Sequence, residues 1–427
     1  MNRTACTLAA VLGLSGCGGS AMDAPVSSGS SGGGGGVSAN AEPPAVNQAL
    51  SEATPVDPAI VAADNDFGFA LFQALLSEAL VQNPNGNLAI SPLSLAMALQ
   101  ITYNGAAGAA AQGMAQTLQL GSLGTSQLNN DNAALQASLI SADPQVQVIV
   151  ANSLWTHLDS DAVAPSFIQM DQTYYGAQIS DLSGAPGSVN AWAAQETQGL
   201  ITQILPAGDY SSLVALIANT IYFKGAWTSG FDANQTSPAA FTRSDGTQPM
   251  VPFMHQTEVV PYLQASNYQA VLLPYGQGHY SMLIVLPAGG VDFASFAASL
   301  TPQLFDAIAG QMQDGEGTLA LPKFSASYSQ NVVETLGTLG MAPALCPNNN
   351  ALPQIGNGCI SFVQHATVVD VDEAGTVAAA ATAGGVGIVV TPRLSFTMTM
   401  DHPFLYAIRN NDDGEVLFIG ALMDPSA

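Results

Sequence analysis

Apolar positions recur along this chain in two rhythms, and the first is helical. Phe67, Ala70, Leu71, Ala74 and Leu75 fall at helical spacing, which predicts a helix capped by Asp64. Ser91 and Pro92 predict a second helix start, a hydroxyl cap followed by a residue with no N–H to leave unpaired. Leu95, Ala98 and Leu99 continue that helix inward. The second rhythm is that of strands. Val146, Val148 and Val150 alternate, as a half-buried strand does. Val214 to Phe223 is a nearly unbroken apolar run, the pattern of a strand covered on both faces, and Ser281 to Leu286 is similar. Leu394, Phe396, Met398 and Met400 alternate with Ser and Thr. Phe404 to Arg409 and Glu415 to Gly420 flank Asn410-Asn411-Asp412-Asp413-Gly414, which predicts a hairpin. Helices early and strands late predict a mixed α+β domain over residues 60–427.

Upstream of residue 60 neither rhythm holds. Ser27 to Gly36 is Ser and Gly throughout, and Pro43, Pro44, Pro55 and Pro58 follow, so residues 17–59 read as a flexible tether. Residues 1–16 read as an export signal: Arg3 supplies the positive start, and Leu8 to Leu14 is an apolar core too short to span a bilayer. Leu14-Ser15-Gly16-Cys17 resembles a bacterial lipobox, in which the Cys17 thiol is acylated; ordinary signal cleavage nearby is the alternative. The expectation is an exported protein, lipid-anchored to a bacterial membrane facing the periplasm or the cell surface, or secreted. Signal removal takes Cys6 away and acylation occupies Cys17. That leaves Cys346 and Cys359, expected to pair as a disulfide in an oxidising compartment.

Charge narrows the function classes. Six Lys and Arg stand against 31 acids, a formal net charge of −25. Nucleic acid, heparin-type polyanions and anionic membrane surfaces all need basic patches, so none is expected as a partner. An acidic, self-repelling surface suits a monomer. No nucleophile elbow, zinc-protease helix, phosphate-binding loop or C-x-x-C occurs. His157, His255, His279, His365 and His402 are scattered singly, and the spacing of the cysteines does not suit zinc. No enzyme chemistry, cofactor or metal is expected.

The informative stretch is Asp370 to Gly385. It begins in a strand, Thr367 to Val371, turns polar at Asp372-Glu373, and passes through Ala374-Gly375-Thr376-Val377 into Ala378-Ala379-Ala380-Ala381-Thr382. Alanine favours helix, so a helix or a surface linker is one reading. The other is a strand of small residues, able to enter between two existing strands. Thr376, Ala378, Ala380 and Thr382 share one face at period two, and nothing bulky on that face obstructs a packed interior.

This segment resembles the hinge of the reactive-centre loop of the serpin family. Further motifs resemble that family in order along the chain. They include Asn87 to Ser94, Ala151-Asn152-Ser153-Leu154-Trp155, Asn190-Ala191-Trp192 and Thr197 to Ile201. Asn219-Thr220-Ile221-Tyr222-Phe223-Lys224-Gly225-Ala226-Trp227 is the most specific, followed by Leu273-Pro274-Tyr275, Leu321-Pro322-Lys323-Phe324, Leu339-Gly340-Met341, His402 to Arg409 and Leu417 to Gly420. The resemblance implies a serpin fold, with a large central β-sheet, two smaller sheets, about nine helices and an exposed reactive-centre loop at about 373–395. It implies an inhibitor that is cleaved as a substrate, acylates a target serine protease and inserts its loop into its own sheet. It implies that Glu373, Gly375, Thr376, Ala378 to Ala381 and Thr382 form the hinge. Ser91, Ser94, Asn219 and His365 match the shutter beneath the opening sheet, and Trp227 an aromatic at its top. The family's count from Glu373 sets the cleaved bond at Val389-Val390, suiting an elastase-like or subtilisin-like pocket. A longer stretch to Pro403 allows Thr391, and Arg393 instead would imply a trypsin-like target. Ala374 and Val377 depart from the family's acids without obstructing the inserting face. A non-inhibitory relative serving as a surface binding module is the alternative.

Overall fold

Among the described residues three helices start with a short polar side chain followed by proline: Asp57-Pro58, Ser91-Pro92 and Thr301-Pro302. In the computed structural model, which describes residues 55–159, 162–348, 350–376 and 394–427, the first helix α1 (Pro58–Gln82) starts earlier than the periodicity predicts. Asp57 is its cap and accepts from the Ala59 N–H at 2.9 Å. Asp64, expected as the cap, instead lies inside the helix, fully buried, and accepts a 2.6 Å hydrogen bond from Gln100. Strand β1 (Leu88–Ile90) leads to α2 (Pro92–Asn104), which Ser91 caps as expected by accepting from Ser94 N–H at 3.2 Å.

The chain continues through α3 (Gly108–Thr117), α4 (Thr125–Ser141), β2 (Val146–Thr156), α5 (Pro165–Tyr175), β3 (Gln178–Asp181), α6 (Gly187–Glu196) and β4 (Ala215–Ala226). Strands β5 (Ser237–Ala240), β6 (Met250–Gln264), β7 (Tyr268–Tyr275) and β8 (Tyr280–Pro287) follow. Helices α7 (Phe293–Ser299) and α8 (Pro302–Gln311) precede β9 (Gln313–Pro322), β10 (Phe324–Asn331) and the short α9 (Val333–Leu336). The last strands are β11 (Gln364–Asp372), β12 (Gly375–Thr376), β13 (Leu394–Thr399), β14 (Phe404–Asn410) and β15 (Val416–Leu422).

Among the described residues six strands form one sheet in the order β10-β11-β12-β4-β2-β3. The other nine form a continuous sheet, β1-β15-β14-β8-β7-β6-β9-β13, with β5 on β6. The two smaller sheets expected are thus joined. The join is β6, which pairs with β9 from Phe253 to Tyr262 and then with β7 from Tyr262 to Gln264. The predicted hairpin is present as β14 and β15. β8 is buried along its whole length, as its unbroken pattern implies, whereas β4 is continuously buried only from Thr220 to Phe223 and alternates between buried and half-buried positions on either side. The main core fills the space between the sheets and around α1 and α2; a smaller one, with Trp155, Val189, Trp192 and Leu216, lies under α6. Cys346 and Cys359 are bonded, with Cα atoms 5.0 Å apart, as the cysteine count implies.

Candidate functional site

The six-stranded sheet is parted along its middle. Among the described residues β4 and β11 share no ladder with each other, and the one strand between them is the two-residue β12. Thr376 pairs with Gly225 on one side and Val371 on the other, antiparallel to both. Below it a cavity of about 430 Å³ separates the lower ends of the two walls, lined by Leu216 and Asn219 on β4, Phe362 and His365 on or leading into β11, and Ser94 of α2. The disulfide-closed loop from Cys346 to Cys359 borders its lower end.

The turn that leads into β12 is clamped. Lys323 donates to Glu373 Oε2 at 2.7 Å and the Thr236 hydroxyl donates to Oε1 at 2.7 Å. Burial pushes the Glu373 carboxyl up, but these two donors outweigh it and hold the group below its ordinary pKa. Trp227 Nε1 donates to the Asp372 carbonyl at 3.0 Å, and the backbone N–H groups of Trp227 and Phe231 donate to the carbonyls of Ala374 and Glu373. Gly375 follows at φ 150°, where a Cβ would stand 2.1 Å from the Gly225 carbonyl oxygen, so no other residue fits. Thr376 then enters the sheet at 2% exposure.

The four expected shutter residues come together beneath the middle of the sheet. Ser91 N–H donates to His365 Nε2 at 3.1 Å. Burial lowers the His365 pKa to about 4, so the ring is neutral, accepts at Nε2 and carries its proton on Nδ1. The Ser94 hydroxyl donates to Asn219 Oδ1, and Asn219 Nδ2 donates to Asn152 Oδ1 at 2.6 Å. Asn152 in turn donates to the Tyr175 carbonyl at 3.0 Å. Trp227 is at the top of the sheet beside the hinge, as expected. Ala378, Ala379, Ala380, Ala381, Thr382, Val389, Val390, Thr391, Arg393 and Cys17 lie outside the described residues.

Asn152, Tyr275 and Lys323 had no role in the sequence reading. Each belongs to a motif that the resemblance rests on, so the signal for them was present, but their partners are far away in the chain: Asn219, Thr376 and Glu373. Among the described residues no group of three or more His, Cys, Asp or Glu is placed to share a metal ion.

Comparison with known proteins agrees with this geometry. Residues 62–425 match the family model described as Serpin (serine protease inhibitor). Serpin-ZX of Arabidopsis thaliana is 32% identical over 365 residues, covering 80% of this chain and 93% of that one. The crystal structure of the thermophilic serpin tengpin in its native state superposes with a TM-score of 0.77 at 27% identity, covering 87% of this chain and 95% of that one. The structure of Arabidopsis AtSerpin1, described as a native stressed conformation, superposes at 0.73 with 28% identity, covering 88% of this chain and all of that one (100%).

Proposed function

The chain belongs to the serpin family, whose members are in general protease inhibitors, and on that premise we propose that it traps a serine protease by inserting its own cleaved loop. One observation carries the reading: β12 already stands between β4 and β11, at the head of a slot that continues below it.

The protease serine attacks the carbonyl of Val389; the Val389-Val390 bond breaks, the Val390 amine leaves, and the acyl bond tethers the protease to residue 389. The freed hinge then extends β12 downward. Each step along the loop retreats one residue on both antiparallel walls. Thr382, six residues past Thr376, therefore arrives opposite Asn219, six before Gly225, and His365, six before Val371. The small side chains of Ala378 and Ala380 enter the core face without displacing β4 or β11. The Thr382 hydroxyl meets the Nδ1–H of neutral His365. A strand of ten or so residues bonded on both sides gains on the order of 10 kcal/mol at roughly 1 kcal/mol net per bond. The uncut form is therefore held by a barrier and not by equilibrium. Val389 at the recognition position points to elastase-like or subtilisin-like targets. Acylated Cys17 and the tether of residues 17–59 hold the domain at an outward-facing membrane.

The test is to mix the protein with pancreatic elastase or subtilisin and run a denaturing gel. A band of the summed mass that survives denaturation is expected. Clipped product with no such band, against both proteases, would instead mark a non-inhibitory member of the family.

A further inference from the structure

One buried side chain reaches Thr376 from outside the six-stranded sheet. Tyr275 ends β7 in the nine-stranded sheet, is fully buried, and sets its hydroxyl 2.6 Å from Thr376 Oγ1. Its ring lies flat on Trp227, with centroids 4.4 Å apart and planes at 12°, and meets Phe223 edge-on at 5.0 Å. Trp227 is itself pinned by its bond to Asp372. The phenol therefore has one available position, and that position faces the hinge hydroxyl. Burial holds the phenol proton well above the ordinary tyrosine range, so the hydroxyl stays intact across working pH. A Thr376 hydroxyl buried without a partner would bear its desolvation cost alone.

We propose that Tyr275 is a positioning residue for loop insertion: its hydroxyl holds Thr376 between β4 and β11 before the loop is cut, so that insertion starts from an engaged hinge. This rests on the trapping reading above. Zipping a strand into a sheet is slowed by its first rung, which orders backbone before later bonds repay it. Here the first rung is already formed. After acylation, insertion competes with deacylation, so the ratio of clipped to trapped product reads the fraction of molecules whose hinge is engaged.

The experiment compares wild type, Tyr275→Phe, Thr376→Val and the double variant against one protease, measuring clipped and covalent product. Phe keeps the stack on Trp227 and Val keeps the shape of Thr, so the intact variants fold, and melting of each before mixing verifies it. Each single change is expected to raise the clipped-to-trapped ratio about fivefold, the weight of one neutral hydrogen bond. The double variant is expected to be no worse than either single one, because both remove the same bond. An unchanged ratio in Tyr275→Phe, or effects that multiply in the double variant, overturns the assignment while leaving trapping intact. A wild-type protein that forms no covalent complex sinks the trapping reading, and the positioning role with it.

Discussion

Replacing Thr376 with arginine converts the inhibitor into a substrate. Thr376 is 2% exposed, flanked by the backbones of Gly225 and Val371 and facing Tyr275. Tyr275 is itself packed against Trp227 and Phe223, both buried. The nearby Glu373 is no free partner for a guanidinium there, since Lys323 and Thr236 already engage it. Burying an unpaired charge costs several kcal/mol or more, so the hinge is expelled instead of inserted. A protease that cuts the expelled loop deacylates and leaves. The covalent band is expected to fall by roughly two orders of magnitude, since each 1.4 kcal/mol is tenfold, with the loop still cut at the wild-type rate. Trapping as efficient as in the parent would show that residue 376 never enters the sheet.

Raising the pH from about 5 to about 9 destabilises the fold, against the usual behaviour of paired carboxylates. Asp64, Asp171 and Glu415 are each 0% exposed. Among the described residues no group donates to either Asp171 oxygen, to Asp64 Oδ2 or to either Glu415 oxygen. With six Lys and Arg in the whole chain, cations to pair with them are scarce, and buried Arg409 faces Asp306 and Asp413 instead. Burial pushes Asp171 and Asp64 up to about 8, with the Gln100 hydrogen bond opposing it at Asp64. Burial first, then the charges of Asp64 and Asp413, raises Glu415 well above its ordinary value. In the unfolded chain these groups lose their protons near pH 4. The folded state keeps them to higher pH, so folding binds protons. The stabilisation is complete below about pH 4 and is lost as pH rises through about 8. For Asp171 it is on the order of 5 kcal/mol. Asp171→Asn cannot ionise, and its denaturation midpoint is expected to fall less between pH 5 and about 9 than that of wild type. Parallel wild-type and variant profiles would mean that Asp171 is ionised in the fold.

What the sequence disclosed follows from range. Ser91 as a cap, the β14–β15 hairpin and the Cys346–Cys359 bond depend on neighbours or on simple counting, and each is in the structure as read. Gly375-Thr376, which the resemblance implies to be part of the hinge, forms the short strand β12, while the run of small residues after it lies outside the described residues. The union of the two smaller sheets was not legible, since it turns on β6 changing partner at Tyr262. Asp64 reads as a cap from its local pattern; its burial depends on Gln100, on a different helix. Tyr275 and Lys323 meet the hinge only after the chain has folded across some 50 to 100 positions.

Stored energy is the premise of the whole account, and melting tests it. The intact protein and the same protein cut once within residues 377–393 should be heated side by side. Filling the slot between β4 and β11 adds on the order of 10 kcal/mol, which corresponds to a rise of roughly 10 to 15 °C in a domain of this size. A cut form that melts well above the intact one is the predicted result. A cut form that melts at or below it would contradict the account, because no strand would then have entered the sheet.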